Sequence, residues 1–304
     1  MMFFRSKKTA APYDPHLPAL TVDEAERLRE LVRHELARRG VPVTVAGDTV
    51  HAPQGTNSLF NLAENCRRSD PQSWPQLVER HFGALAAAGR TMDDGADQLL
   101  RGAYLRLIPD DSLPPEAMAD SFRYTRPVAT GLLEALALDL PDSVRLLTDQ
   151  DVARAGLDAL RTAGRANLLA EPAQYEVIPT ESGATLHSVS GPSLFVASKA
   201  LVMADLVRSL TGREVPEHGV LFTVPSRHLL VFHPVADRHA VGAVNDLAAF
   251  GLGAHQDNPG PLSPRLYWWH QGTVTCLTRI DEATRTFSMA VPEELMAALR
   301  GLSA

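Results

Sequence analysis

Cysteine is scarce: the chain holds only Cys66 and Cys276 among 304 residues. Two thiols so far apart make no disulfide framework, so the small stapled secreted class is excluded and buried thiols in a reducing cytoplasm are expected. Long apolar runs are absent too. No stretch approaches the roughly 20 residues that a membrane-spanning helix needs. The start of the chain has no apolar core behind its charges, so no secretory signal is expected. Positive charge is in deficit, with 29 Lys and Arg against 36 Asp and Glu and a net charge of −7. Nucleic-acid-binding faces are basic. The one short basic run, Arg5, Lys7 and Lys8, follows Met1-Met2-Phe3-Phe4 and reads as part of a disordered tail over residues 1–15, not as a membrane anchor. Neither nucleic acid nor membrane is expected as a partner. Lysine is rare beside Ala, Arg, Leu and Pro, a usage associated with high-GC bacteria.

Catalytic signatures are missing as well. There is no phosphate loop, no GxGxxG after a strand, no GxSxG elbow, no HExxH and no CxxC. These patterns carry phosphate, dinucleotide, nucleophile and zinc chemistry respectively, and their absence argues against nucleotide hydrolases, Rossmann oxidoreductases and zincins. No cofactor and no metal are expected.

What is present is ordinary globular material: 45% hydrophobic and 21% charged residues, enough chain for one large core or two smaller ones. Thr21 and Glu24 make a capping box for a helix that Gly40 ends. A small hairpin over 41–51 and helices over 58–68 and from Ser73 follow. Further on come a short helix from Asp93, a strand over 103–108, a loop over 109–116 and an extended piece over 122–126. Strands over 132–140 and 143–147 precede a helix from Thr148, which is interrupted at Gly156 and resumes over 157–170. The last third is richer in strands. A hairpin turns at Glu181-Ser182-Gly183, and a buried strand is expected over 194–197. Ser198 caps a helix closed by Gly212. Strands over 220–224 and 229–232, a helix over 237–250, strands near 266–269, 274–279 and 287–290, and a helix over 293–299 complete the chain.

Strands and helices are mixed throughout, with hairpins, which gives an α+β fold: a helix-rich N-terminal half and a mixed sheet with packed helices in the C-terminal part. The expected organisation is the tail over 1–15, an α+β region over 16–172 and a second over 173–304; whether these last two are one continuous domain stays open.

The segment Gly219–Thr278 concentrates the polar candidates. Arg227, with Ser226 as an extra donor, suits anion recognition or a structural turn. His228 sits beside it. His228 and His233, five apart, fall on opposite faces of a regular strand and so share no metal. His255 and Asp257 are two apart and face one way in extended backbone, which fits proton exchange with the carboxylate orienting the imidazole. His270 ends the run Tyr267-Trp268-Trp269. Of those adjacent tryptophans one faces out of the sheet, as an interface anchor or as cover beneath the terminal helix. Residues 252–261 read as a Gly- and Pro-rich lid or connector.

The run VPSRHLLVF within Gly219–Phe232 is similar to a segment of the YtpQ-like bacterial proteins of unknown function, in which a strand enters a Val-Pro-x-Arg-Asp turn and leaves as a second strand. Leu262-Ser263-Pro264 before Tyr267 resembles that family's later Leu-Ser-Pro segment, and LALDLPDSVRLL over 136–147 and Ala166-Asn167-Leu168 resemble it too. His228 stands where the family pattern has aspartate. The resemblance implies a cytoplasmic α+β protein and no particular activity.

The first functional expectation is a non-enzymatic binding or interaction protein, regulatory roles included, with a protein partner or a second copy meeting Trp268 and Trp269. The rival is an enzyme or small-anion binder in the C-terminal part, with Arg227, Ser226 and His270 holding the ligand and His228, His255 and Asp257 carrying the chemistry. The third is a structural subunit of a larger assembly.

Overall fold

The computed structural model describes residues 12–52, 55–90, 95–140, 143–258, 260–281 and 286–303. Its contacts divide the chain into two units, Met1–Asp93 and Asp94–Ala304. The change of region expected at residue 173 falls inside the second unit.

In the first unit, helix α1 (Val22–Arg38) is followed by a three-stranded antiparallel sheet of β1 (Thr44–Ala46), β2 (Thr49–Ala52) and β3 (Gly55–Ser58). Helices α2 (Phe60–Arg67) and α3 (Trp74–Arg90) complete it. The capping box at α1 is formed in both directions between Thr21 and Glu24. Leu28, Val32, Leu62, Trp74 and Val78 fill this core. Residues 1–11 of the expected tail lie outside the described residues. The remainder is fixed in place: Tyr13 bridges Thr21, and Asp14 is buried with both carboxylate oxygens on Arg29 Nη2, at 2.9 and 3.0 Å.

The second unit begins with α4 (Ala96–Gly102), β4 (Ala103–Pro109), α5 (Pro115–Ser121), β5 (Arg126–Ala129), β6 (Leu132–Leu140) and β7 (Ser143–Leu146). Strands β4, β5, β6 and β7 form one antiparallel sheet around the long β6. Helices α6 (Asp149–Ala155) and α7 (Leu157–Ala170) break at Gly156, whose φ of 85° suits glycine. A Cβ on Gly164 of α7 would stand 2.8 Å from the Leu105 nitrogen, so glycine is what lets the helix lie on β4.

A larger antiparallel sheet follows: β8 (Gln174–Pro179), β9 (Thr185–Ser190), β10 (Val220–Ser226), β11 (Leu229–Pro234), β12 (Leu266–His270) and β13 (Thr273–Cys276), in the order β13-β12-β10-β11-β9-β8. Alternate residues of each strand serve opposite faces. Val220, Phe222, Leu230, Phe232 and Tyr267 pack with a 3-10 helix (Ala197–Val202) and α8 (Met203–Thr211). Leu221, Val231, Leu266 and Trp268 pack beneath α9 (Ala240–Asp257) and α10 (Glu293–Ser303). A separate hairpin joins β14 (Thr278–Asp281) to β15 (Thr286–Met289). The α+β class is as expected.

Three local expectations are corrected. Residues 194–197 form no strand; turn leads directly into the 3-10 helix, and the Ser198 hydroxyl accepts from Leu107 N at 2.9 Å instead of capping a helix. The loop expected over 109–116 holds over 110–114 and ends early at α5, because proline belongs in the first turn of a helix, where its missing N–H costs nothing. Helix α9 continues through Gly251 to Asp257. A Cβ on Gly251 would meet Thr223 Oγ1 at 2.4 Å, so this glycine marks a close approach of helix to strand and not a loop.

Candidate functional site

The residues singled out in the sequence are mostly consumed by the fold. His228 Nδ1 lies 3.2 Å from the Gly191 carbonyl and 3.1 Å from that of Ser193, which fixes a proton on that nitrogen and ties the β10–β11 turn to the segment before the 3-10 helix. Arg227 is bound through its backbone, donating to Gly260 O at 2.9 Å and accepting from Ala197 N at 3.1 Å. Ser226 is buried, and its hydroxyl has no partner among the described residues. His270 places Nε2 3.0 Å from Glu217 O, sets Nδ1 3.4 Å from Glu294 Oε1 and stacks on Trp268.

His255 and Asp257 do not share a face. Both lie on α9, where residues two apart diverge by about 200°; His255 is half-buried, and burial lowers its pKa, while Asp257 is exposed. Neither tryptophan stands outward. Trp268 is 4% exposed and donates to His218 O at 2.8 Å, and Trp269 is half-buried against the core on the opposite face. The sheet is covered on both sides, so alternation has no solvent face to point to. Ser263 Oγ and Tyr267 Oη meet at 2.6 Å in the core, and Tyr267 Oη donates to Thr130 O at 3.1 Å. The Leu-Ser-Pro segment therefore pins β12 to the β5–β6 connection.

Open space lies elsewhere in this unit. A cavity of about 630 Å³ stands at the end of the large sheet where β9 begins and β11 ends. Ligand pockets span roughly 300–1,000 Å³. Tyr175 of β8 and His187 of β9 supply its sheet wall, Val207 and Leu210 of α8 the facing wall, and His233 and His239 line it further round.

Local sequence places each of these groups. His187 pairs with Phe232 across the β9–β11 ladder, so the two rings share a face and stack at 4.9 Å and 13°. Tyr175 stacks on His187 at 5.9 Å and 7°, extending the aromatic row over three strands. Its hydroxyl lies 2.7 Å from His187 Nδ1. His187 Nε2 makes no hydrogen bond among the described residues. His233 donates from Nδ1 to the Thr185 carbonyl at 2.8 Å, which leaves Nε2 as an acceptor; that atom is buried and has no partner among the described residues. Burial lowers the pKa of both imidazoles, with the neighbouring His233 adding to the effect at His187. Both are neutral at neutral pH and able to accept a proton or a hydrogen bond.

The rim is set by turns. Gly212 ends α8 in the left-handed conformation, and Arg208 then holds Glu214 through two bonds of 2.7 Å. Gly183 turns the β8–β9 hairpin at φ 84°, and a Cβ there would be 2.8 Å from His239 Nδ1. Chemically, the cavity offers a mixed lining: the apolar Val207 and Leu210, the aromatic faces of Tyr175 and His187, two neutral imidazoles, and the charges of Arg213, Glu214 and Asp237. Among the described residues no cluster of three or more metal-ligating side chains forms.

Sequence reading missed Tyr175, His187 and His239 and dismissed His233. A signal existed: seven of the eleven histidines follow residue 180. Comparison with known proteins gives no match to a family model, a curated protein or a solved structure.

Proposed function

We propose that this chain is a binding protein for a small, partly aromatic polar molecule, held in the cavity between α8 and the β8–β9–β11 edge of the large sheet. The observation that carries the reading is a half-open cavity of mixed lining that holds two neutral histidines, each fixed through Nδ1 with Nε2 making no further bond among the described residues. A ring enters between Leu210 and the Tyr175–His187 face, and its hydrogen-bonding edge meets the His187 imidazole. An apolar body with few placed polar groups is the usual construction of such sites. The Tyr175–His187 bond supports a second reading, proton transfer to or from the bound molecule, since a phenol and a neutral imidazole in contact form an acid–base pair.

We place this function in the cytoplasm. The free thiols of Cys66 and Cys276 support a reducing compartment, and among the described residues no helix is long and apolar enough to cross a membrane. The protein-interaction reading loses the outward tryptophan that motivated it. The test is a ligand-observed NMR screen of small heteroaromatic fragments against wild-type protein and the cavity-filling variant Leu210→Trp. Fragments that bind the wild type and not the variant are expected; a screen whose hits ignore Leu210→Trp refutes the cavity.

A further inference from the structure

Arg106 is the anomaly of the second unit. It lies on β4 with its guanidinium 5.4 Å over the Phe195 ring. Among the described residues its Nη1, which is buried, has no hydrogen-bond partner and the group makes no ion pair. Burial, then the charge of Arg227, lowers its pKa to about 10, so it stays charged at neutral pH. The opposing charge it feels comes from Asp139, which is exposed and makes no ion pair with it. Other shielded arginines in this protein have carboxylates in contact. Arg29 holds Asp14 through two bonds, and Arg161 reaches the buried Glu134. Folded proteins keep buried charges paired because an unpaired one is costly to desolvate. A charged, unpaired guanidinium therefore marks a missing anion.

The surroundings supply what an anion needs. Phe195 leads directly into the segment whose Ala197 N–H donates to Arg227 O, so Arg106 and Arg227 flank one short stretch of chain. The Gly260 backbone is so close to the Arg227 side chain that a Cβ there would stand 1.8 Å from Nε, which holds the side chain in place. The neighbouring Ser226 hydroxyl is buried with no partner among the described residues. Lys199 lies just beyond, its ammonium committed to Leu168 O at 2.8 Å. Arg106 as a whole is half-buried.

We propose that Arg106 and Arg227, with the Ser226 hydroxyl, form a binding site for a small oxyanion: the phosphate or carboxylate group of a small molecule. A guanidinium presents paired N–H donors that match two oxygens of such a group. The site is separate from the cavity and does not depend on it.

Calorimetric titration and thermal melts with inorganic phosphate, and separately with acetate, test this on the full chain. Wild type is expected to bind one of the two saturably, with a rising Tm. Arg106→Met is expected to bind at least tenfold more weakly and, freed of an unpaired charge, to melt no lower than wild type without anion. Arg106→Lys keeps the charge and loses the fork; it is expected to fold and bind with reduced affinity, and it decides the matter if Arg106→Met does not fold. Phosphate binding without acetate binding assigns a phosphate group, and the reverse a carboxylate. Leu210→Trp is expected to bind the anion as wild type does. The proposal is overturned if neither anion binds wild type saturably, or if the Arg106 variants bind as wild type does.

Discussion

Two groups of histidines in the same unit behave differently. In the β10–β12 region, His228 directs one nitrogen at two backbone carbonyls, and His270 is held between Glu217 O and Glu294. At the β9–β11 end, His187 and His233 are each fixed through Nδ1 and keep Nε2 without a partner among the described residues. The first pair is spent on holding turns and loops together. The second pair is positioned yet still has hydrogen-bonding capacity to offer. Availability for function is set by what remains after the fold has used a side chain, and residue type alone does not reveal it.

Acid should expose the contrast most strongly. His81, His187, His233 and His255 all have pKa values lowered by burial. Below the unfolded value of about 6.5 the unfolded chain binds more protons than the folded one, so stability rises with pH in that window and falls as pH drops through it. Urea midpoints at pH 5.5 should lie below those at pH 7.5, and His233→Gln should shrink the gap. An unchanged gap in that variant would mean that His233 is not among the groups responsible.

The next effect is on stability at constant pH. His228→Ala leaves two carbonyls without their donor and should destabilise by about 1–3 kcal/mol, read as a lower denaturant midpoint. His187→Phe keeps the stack on Phe232 and removes both nitrogens, so it should change the midpoint less while weakening fragment binding at least tenfold. If the two variants exchange these phenotypes, the comparison fails.

Gly183→Ala should act on the rim. It forces a left-handed φ on a residue with a Cβ, at a cost of about 1 kcal/mol, and pushes on His239; weaker fragment binding with a slightly lower Tm is expected. The smallest effect belongs to Glu214→Gln. It breaks an exposed pair with Arg208, and such pairs contribute little, so Tm should not move measurably.

Much of the fold could be read from local chemistry. The box at Thr21/Glu24, the helix start at Thr148, the hairpin at Glu181-Ser182-Gly183 and the stop at Gly212 all depend on a few neighbouring residues, and all formed. Failures came where distant packing overrode a local signal. Gly251 reads as a breaker in one dimension and as a contact with Thr223 in three. Trp268 and Trp269 point to opposite faces as strand alternation requires, but α9 and α10 cover one face and the 3-10 helix and α8 pack on the other. The site suffered most. Tyr175, His187, Leu210 and His233 are spread over 59 residues of sequence, and only the strand register and the packing of α8 on the sheet unite them. Arg106 carried no local sign of being unpaired, because the missing partner is a property of the folded surroundings.

The most direct test of the central claim is histidine-resolved NMR during titration of the tightest fragment from the screen. The account predicts that the His187 and His233 ring signals shift together along one binding curve while those of His228 and His270 stay in place. Movement of His228 or His270, with His187 and His233 unmoved, would contradict it.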